Sequence, residues 1–379
     1  TMSSRFSQRS RCCLVTASSF ASALSSHLKS TFSKPFGAII TTAMLSVTSS
    51  LVYAQTIYVP EGSADSVLVV DGANGSTIRR IDGLEAVHGL SGTANSGVLV
   101  AGSFIETDKP VEAPASVTAG EHTAHHGASG KSIGPAIAGI SILSIIDRAS
   151  GTIIRRLEVP GAVHHTAMSP DGRYAVATHP GADGISIIDL SNYEVTGWVP
   201  TGPMPNYAII DQSSQTAFVT NTGNGTVSEV DLARAFVRRN FLAGEAPEHM
   251  AYGLGAGTLY IADSGTGRVI ELDVNTGKVL RDIAIDSEVH GLDLSDDGKR
   301  LFVAVTGSDA VASINLKSGS ITTYPLGSEP YHVTTIPNSG QALVSSRANP
   351  EAWVVDISSG AVVKRFQLSG VGHQMVVVR

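Results

Sequence analysis

The sequence predicts an all-β chain folded as a seven-bladed β-propeller. Three observations carry that prediction. A short phrase headed by His or Asn recurs at nearly constant spacing, and four runs of strand character follow most recurrences. The runs left over at the two ends, one and three, add up to one more unit.

The phrase is clearest in "EVHGLDLSDDGKRLFVAV" (288–305), "AVHHTAMSPDGRYAVAT" (162–178) and "AVHGLSGTANSGVLVAG" (86–102). Aligned on its head, it gives anchors at His88, His164, Asn206, His249, His290, His332 and His373. The intervals are 76, 42, 43, 41, 42 and 41 residues. The first is long because residues 105–138 form an insertion of 34. A period near 42 residues is the length of one propeller blade of four short strands.

The elements follow in order. Three strands come first: "TIYVPEG" (56–62), "SVLVVDGANG" (66–75) and "STIRRIDGLE" (76–85). Each complete unit then reads like the one after His290, as "HGLDLS", "RLFVAVTG", "AVASINLKSG" and "SITTYPLG". Period-2 alternation marks the strands, and Gly, Asp, Asn and Ser mark the turns between them. No amphipathic helix interrupts the pattern. After the last anchor comes one strand, "HQMVVVR" (373–379). Pairing it with the three N-terminal strands closes the seventh blade and hides edges that an open sheet would expose.

Residues 1–54 stand outside this pattern. "HLKSTFSKPFGAIITTAMLSVTSSLVYAQ" (27–55) has a basic lead, an apolar core from about Phe36 to Val52, and small residues at Val52 and Ala54. That is the layout of a secretory signal peptide. A membrane span needs roughly 20 strongly apolar residues, and this stretch is shorter and diluted by Ser and Thr. The first 26 residues read as an upstream extension. The expectation is an exported, periplasmic chain of residues 55–379, monomeric and free of the membrane once cleaved.

Cleavage would change the charge. Residues 1–54 hold Arg5, Arg9, Arg11, Lys29 and Lys34 but no acid, leaving 21 basic against 33 acidic residues, a net of −12. Such a surface disfavours nucleic acid and anionic lipid as partners. Cys12 and Cys13 are the two cysteines, so residues 55–379 have neither disulfide nor thiolate chemistry. Of 12 histidines, only His27 lies in the leader.

In a propeller the anchor sits where the chain enters the innermost strand, at one rim of the central channel. Six of seven such positions are histidine: His88, His164, His249, His290, His332 and His373, with Asn206 as the seventh. A single histidine there is ordinary repeat grammar. Six in one ring are not, because crowded imidazoles repel when protonated and neutral imidazole is the commonest metal ligand. The 105–138 insertion adds Glu121, His122, His125 and His126, and the equivalent loop of the next unit adds His179. The insertion is rich in Gly, Ala and Ser, so its histidines are expected to bind more weakly than the strand-anchored ring. These ten histidines are the expected metal ligands, with His165 merely adjoining.

The stretches "SPDGRYAVATHPGADGISIIDLSNYEVTGWVPTG" and "SDDGKRLFVAVTGSDAVASINLKSG" resemble YVTN-type β-propeller repeats. Phe218-Val219-Thr220-Asn221 carries the eponymous motif almost literally. The resemblance spans 56–379 and implies the fold, while its members serve as binding proteins, surface proteins and enzyme domains. Histidines gathered by a seven-bladed propeller also resemble the copper site of nitrous oxide reductase, although no cupredoxin-like Cys/Met domain is present. Periplasmic zinc-chaperone propellers are similar in combining a channel-mouth site with a His/acidic loop. That resemblance implies zinc as cargo and a periplasmic metal-transport protein as partner, while imidazole ligands suit copper equally on general grounds.

Other chemistries have little support. "GASGKS" (127–132) lacks the first glycine of a phosphate loop, and no G-x-S-x-G elbow occurs. The expected function is metal sequestration or transfer. A metal-dependent, lactonase-like hydrolase is the enzymatic alternative, with Glu248 and Glu288 as the carboxylates near anchors. A metal-free interaction scaffold is the third.

Overall fold

A computed structural model of the chain describes residues 55–107, 139–255 and 257–379. The first strands are β1 (Thr56–Glu61), β2 (Ser66–Asp71) and β3 (Thr77–Ile81). Blade two comprises β4 (Val87–Gly92), β5 (Val98–Ser103), β6 (Ile140–Asp147) and β7 (Ile153–Pro160). Blade three comprises β8 (Thr166–Met168), β9 (Tyr174–His179), β10 (Gly184–Asp189) and β11 (Glu194–Pro200). Blade four comprises β12 (Pro205–Ile210), β13 (Thr216–Asn221), β14 (Thr226–Asp231) and β15 (Phe236–Leu242). Blade five comprises β16 (Pro247–Tyr252), β17 (Thr258–Asp263), β18 (Arg268–Asp273) and β19 (Lys278–Ala284). Blade six comprises β20 (Leu292–Leu294), β21 (Arg300–Val305), β22 (Ala310–Asn315) and β23 (Ile321–Pro325). Blade seven comprises β24 (Pro330–Ile336), β25 (Gln341–Ser346), β26 (Glu351–Asp356) and β27 (Val362–Gln367).

The final strand, β28 (Val376–Val378), pairs antiparallel with β1, so blade one has the order β28-β1-β2-β3. The expected one-plus-three closure is therefore the observed one. Among the described residues all seven sheets have four antiparallel strands, and there is no α-helix.

Packing explains why the middle strands read as near-continuous apolar runs rather than strict alternation. Each blade is covered on both faces by its neighbours, so residues on both sides of the pleat are buried, as along the whole of β5. Outer strands such as β15 are mostly exposed. Seven separate apolar layers fill the seven gaps between blades. An open row of seven blades would have only six. The closing layer joins Ile57, Val59, Leu68 and Val70 of blade one to Leu343, Ala352, Val354 and Phe366 of blade seven. Each such side chain is worth roughly 1.5–3 kcal/mol when fully buried.

A carboxylate fastens the closure. Glu61, at the end of β1, is buried and accepts hydrogen bonds from Ser66 Oγ at 2.8 Å and from the Ser369 N–H at 2.7 Å. Arg80 pairs with it at 2.9 Å. Similar carboxylates steady the approach to the channel. Asp65, Asp183 and Asp309 each stand in the left-handed region, with φ of 53°, 56° and 53°, at the loop between a second and third strand. Asp tolerates that conformation better than most residues. Their side chains accept the N–H groups of Ala86, Met204 and Glu329, two or three residues before an anchor.

Ring closure makes one prediction. A chain ending at Gln374 keeps His373 but lacks β28, and with it Met375 and Val378, each of which fills a layer beside blade one. Thermal unfolding followed by tryptophan fluorescence should show a lowered midpoint shared by Trp198 in blade three and Trp353 in blade seven. Separate midpoints for the two would mean that the blades melt independently and closure is dispensable.

Candidate metal centre

Each anchor lies at the entry to an innermost strand, and the ladder is irregular there. The pairing register shifts between Val87 and Gly89, Pro205 and Ala208, Pro247 and Met250, and Pro330 and Val333. Such bulges free residues from the ladder and re-aim their side chains. In blades three and six the anchors His164 and His290 come just before short strands, and His373 precedes β28. The consequence is that most blades turn two adjacent residues toward the channel instead of one.

Six expected ring histidines converge in this way, and His165 joins them. The ring centroids of His88 lie 4.5 Å from His164 and 4.1 Å from His373. His165 lies 4.1 Å from His164, 4.7 Å from His249 and 5.3 Å from His332. His290 is 4.6 Å from His249. Two triads have ligand atoms within 4.8 Å of one another: His88, His164 and His165, and His165, His249 and His332. Three imidazoles at such spacing can hold a transition-metal ion, with a further ligand completing a four-coordinate shell.

Hydrogen bonding fixes how these rings present their nitrogens. His88 Nδ1 lies 2.7 Å from the His164 carbonyl oxygen, and His165 Nδ1 lies 2.8 Å from that of Asn206. A carbonyl only accepts, so each Nδ1 carries the proton and each Nε2 keeps its lone pair. Protein-bound metal-ligating histidines are commonly oriented by this kind of contact. Buried polar atoms nearly always have partners, and an orphan costs about 1–3 kcal/mol. Yet the Nε2 atoms of His165, His249 and His290, both nitrogens of His332, and Nδ1 of His373 have none among the described residues. That concentration of unpartnered buried imidazole nitrogens is what a metal-binding cluster requires.

Further side chains pack against the rings. Tyr207, the residue after Asn206, stacks on His249 at 4.2 Å. Gln374 accepts the N–H groups of Leu90 and Thr166 at 3.1 and 3.0 Å and donates to the Thr166 carbonyl at 2.8 Å. Gln374 is thus a satisfied floor joining the closing segment to blades two and three. Asp293 is half-buried and accepts from the backbone and hydroxyl of Thr335, and partial burial raises its pKa.

On the solvent side a cavity of about 570 Å³ is lined by His164, Asn206, Glu248, His290, Tyr331 and Arg347, among others. Glu248 precedes His249 in the bulge. Its carboxylate accepts from Asn206 Nδ2 at 2.6 Å and Ser264 Oγ at 3.3 Å, and lies 3.6 Å from His290 Nδ1. Burial raises its pKa. Glu288 is half-exposed instead and pairs with Arg347 at 3.2 Å.

The structure corrects the sequence expectation at His179 and His165. His179 is the last residue of β9 rather than part of a loop. Its Nδ1 faces the Gly161 carbonyl at 3.2 Å and its Nε2 faces Ser186 Oγ at 2.9 Å, so both nitrogens are engaged inside blade three. The second strand runs through His179, and the turn begins at Pro180. His165, treated as a bystander, is fully buried and is the residue that both triads share. The tandem His164-His165 at an anchor was the available signal, since both residues stand just before the short strand β8. His122, His125 and His126 lie outside the described residues.

Burial lowers the pKa of every histidine in the cluster, to about 4 for His164 and His373 and about 3 for His249. His88, His165, His290 and His332 are held well below the usual value, first by burial and then by their neighbours. All are therefore neutral at pH 7, as ligation needs. In the unfolded chain each would titrate near 6.5. Below that value the unfolded state binds more protons, so stability present above about pH 6.5 is lost as pH falls toward 4. The metal-free protein should show a steep fall in melting temperature across this window. His249→Gln should flatten it, and an unchanged slope would mean the cluster does not titrate as a buried neutral group.

No family model and no curated protein matches the chain. Among solved structures it is similar to hydrazine synthase of Kuenenia stuttgartiensis, at 16% identity and a TM-score of 0.57, covering 64% of this chain and 86% of that one. It is also similar to dihydro-heme d1 dehydrogenase NirN in complex with DHE, at 12% identity and a TM-score of 0.59. That match covers 83% of this chain and 64% of the other. At such identities the likeness speaks to fold alone: the chain is a seven-bladed β-propeller with histidine groups able to hold a metal ion.

Proposed function

We propose that the protein is an exported metal-binding propeller that sequesters zinc or copper, or hands it on, through its channel histidines. The observation that carries this is the set of unpartnered, buried ring nitrogens in one cluster. The leader-like segment 27–55 supports export, and the resemblance to periplasmic zinc-chaperone propellers supports transfer over storage. Neutral imidazoles suit both zinc and copper, and copper(II) binds such donors more tightly on general grounds.

The chain's own residues would do three things. The carbonyls of His164 and Asn206 hold His88 and His165 in the tautomer that leaves Nε2 free. The burial of the cluster excludes water and keeps the rings uncharged. Glu248, beside His290 at the cavity, offers a carboxylate to an arriving cation.

Metal analysis of full-length protein purified without a histidine tag is the test, and stoichiometric zinc or copper is expected. Replacing His249 and His332 with Ala should weaken retention, while replacing His122, His125 and His126 should slow loading and leave a tight site. Protein that takes up no metal at micromolar supply would sink the proposal and leave an interaction scaffold.

Glu248 also favours a second reading, a metal-dependent hydrolase, because a raised-pKa carboxylate beside a metal that activates water is the usual general-base arrangement. Metal-loaded protein would then hydrolyse lactones or esters, and Glu248→Gln would abolish turnover without releasing the metal.

A further inference from the structure

The two triads are not independent, because both need His165. Its Nδ1 proton is committed to the Asn206 carbonyl at 2.8 Å, leaving Nε2 as the single lone pair. Nε2 is buried and has no partner among the described residues. The ring is locked from both sides of the chain. The His165 N–H donates to Thr178 Oγ1 at 3.0 Å, and Thr178 Oγ1 in turn donates to the Asn206 carbonyl at 2.8 Å. One lone pair serves one ion at a time.

The triads also differ in depth. His164 is half-buried and lines the solvent-side cavity. His165, His249 and His332 are 0%, 3% and 2% exposed. One triad therefore faces the entrance and the other lies behind it.

We propose that the triads are two alternative seats for a single ion, and that His165 is the pivot between them. An ion captured by His88, His164 and His165 moves inward by exchanging His88 and His164 for His249 and His332 while His165 stays bound. No bond to His165 breaks in the exchange, so the ion is never released into the channel. Two ions bridged by His165 would require its Nδ1 proton to leave and the Asn206 contact to break. This inference rests on the metal-binding reading of the same residues.

The test uses the full chain with His122, His125 and His126 replaced by Ala, so that only the channel is counted. Zinc is titrated in competition with a chromophoric chelator, and cobalt(II) reports the ligand field by its visible bands. One tight ion is expected. The pair His88→Ala/His164→Ala and the pair His249→Ala/His332→Ala should each still bind one ion, with different cobalt spectra. His165→Gln should cost both seats, lowering affinity by more than the roughly 10–100-fold typical of losing an outer-shell partner. Circular dichroism and melting of His165→Gln separate loss of a ligand from loss of fold.

Two tight ions in the parent chain, or a His165→Gln protein that melts normally and keeps its affinity, would overturn the pivot. Loss of all binding in either double variant would do so as well. A parent chain that binds no ion at all would instead remove the underlying metal reading.

Discussion

Everything at the channel depends on one constraint: each blade must cover both faces of its neighbours. Seven apolar layers for seven blades leave no free face, and the layers fix how far each innermost strand stands from the axis. Rings from residues as distant in sequence as His88 and His373 are therefore brought to a centroid separation of 4.1 Å, with the Gln374 N–H donating to the His88 carbonyl at 3.3 Å. The histidines add hydrogen bonds between blades, from His88 to the His164 carbonyl and from His165 to that of Asn206. Their neutral rings are tolerated in the interior because the apolar layers have already determined the geometry.

The second determinant is the bulge at the strand entries. A regular ladder would point alternate residues at the two neighbouring blades, and only one residue per entry would reach the axis. Irregular pairing turns consecutive residues inward, which is how Glu248 and His249, or Tyr331 and His332, share one site. Glycine serves the same end where no second side chain fits. A Cβ at Gly291 would lie 2.4 Å from the Tyr331 carbonyl oxygen, so only glycine lets those two strands approach.

Much of this was legible in the sequence, because blade count and closure follow from spacing alone. The near-42-residue interval and the leftover strands at 56–85 and 373–379 determine the topology whatever the packing details. The ring anchors were legible for the same reason. His165 was passed over, since the spacing marks one residue per entry, although it stands beside His164 just before the short strand β8. Glu248 was legible as a carboxylate beside an anchor. His179 misled: Pro180-Gly181 signals a turn, yet strand β9 runs up to it and buries the ring. Residues 122–126 carry histidines with no strand pattern around them, so spacing assigns them no place relative to the ring.

Gln374 carries a consequence for how such a protein matures. Its amide ties the segment before β28 to Leu90 and Thr166, directly under the rings, and its neighbour His373 completes the ring beside His88. The floor of the cavity and the clasp of the whole domain are thus the same few residues. A chain whose closing segment has not yet docked lacks both His373 and the hydrogen bonds of Gln374 to blades two and three. The ring of seven entries is therefore complete only in the closed propeller.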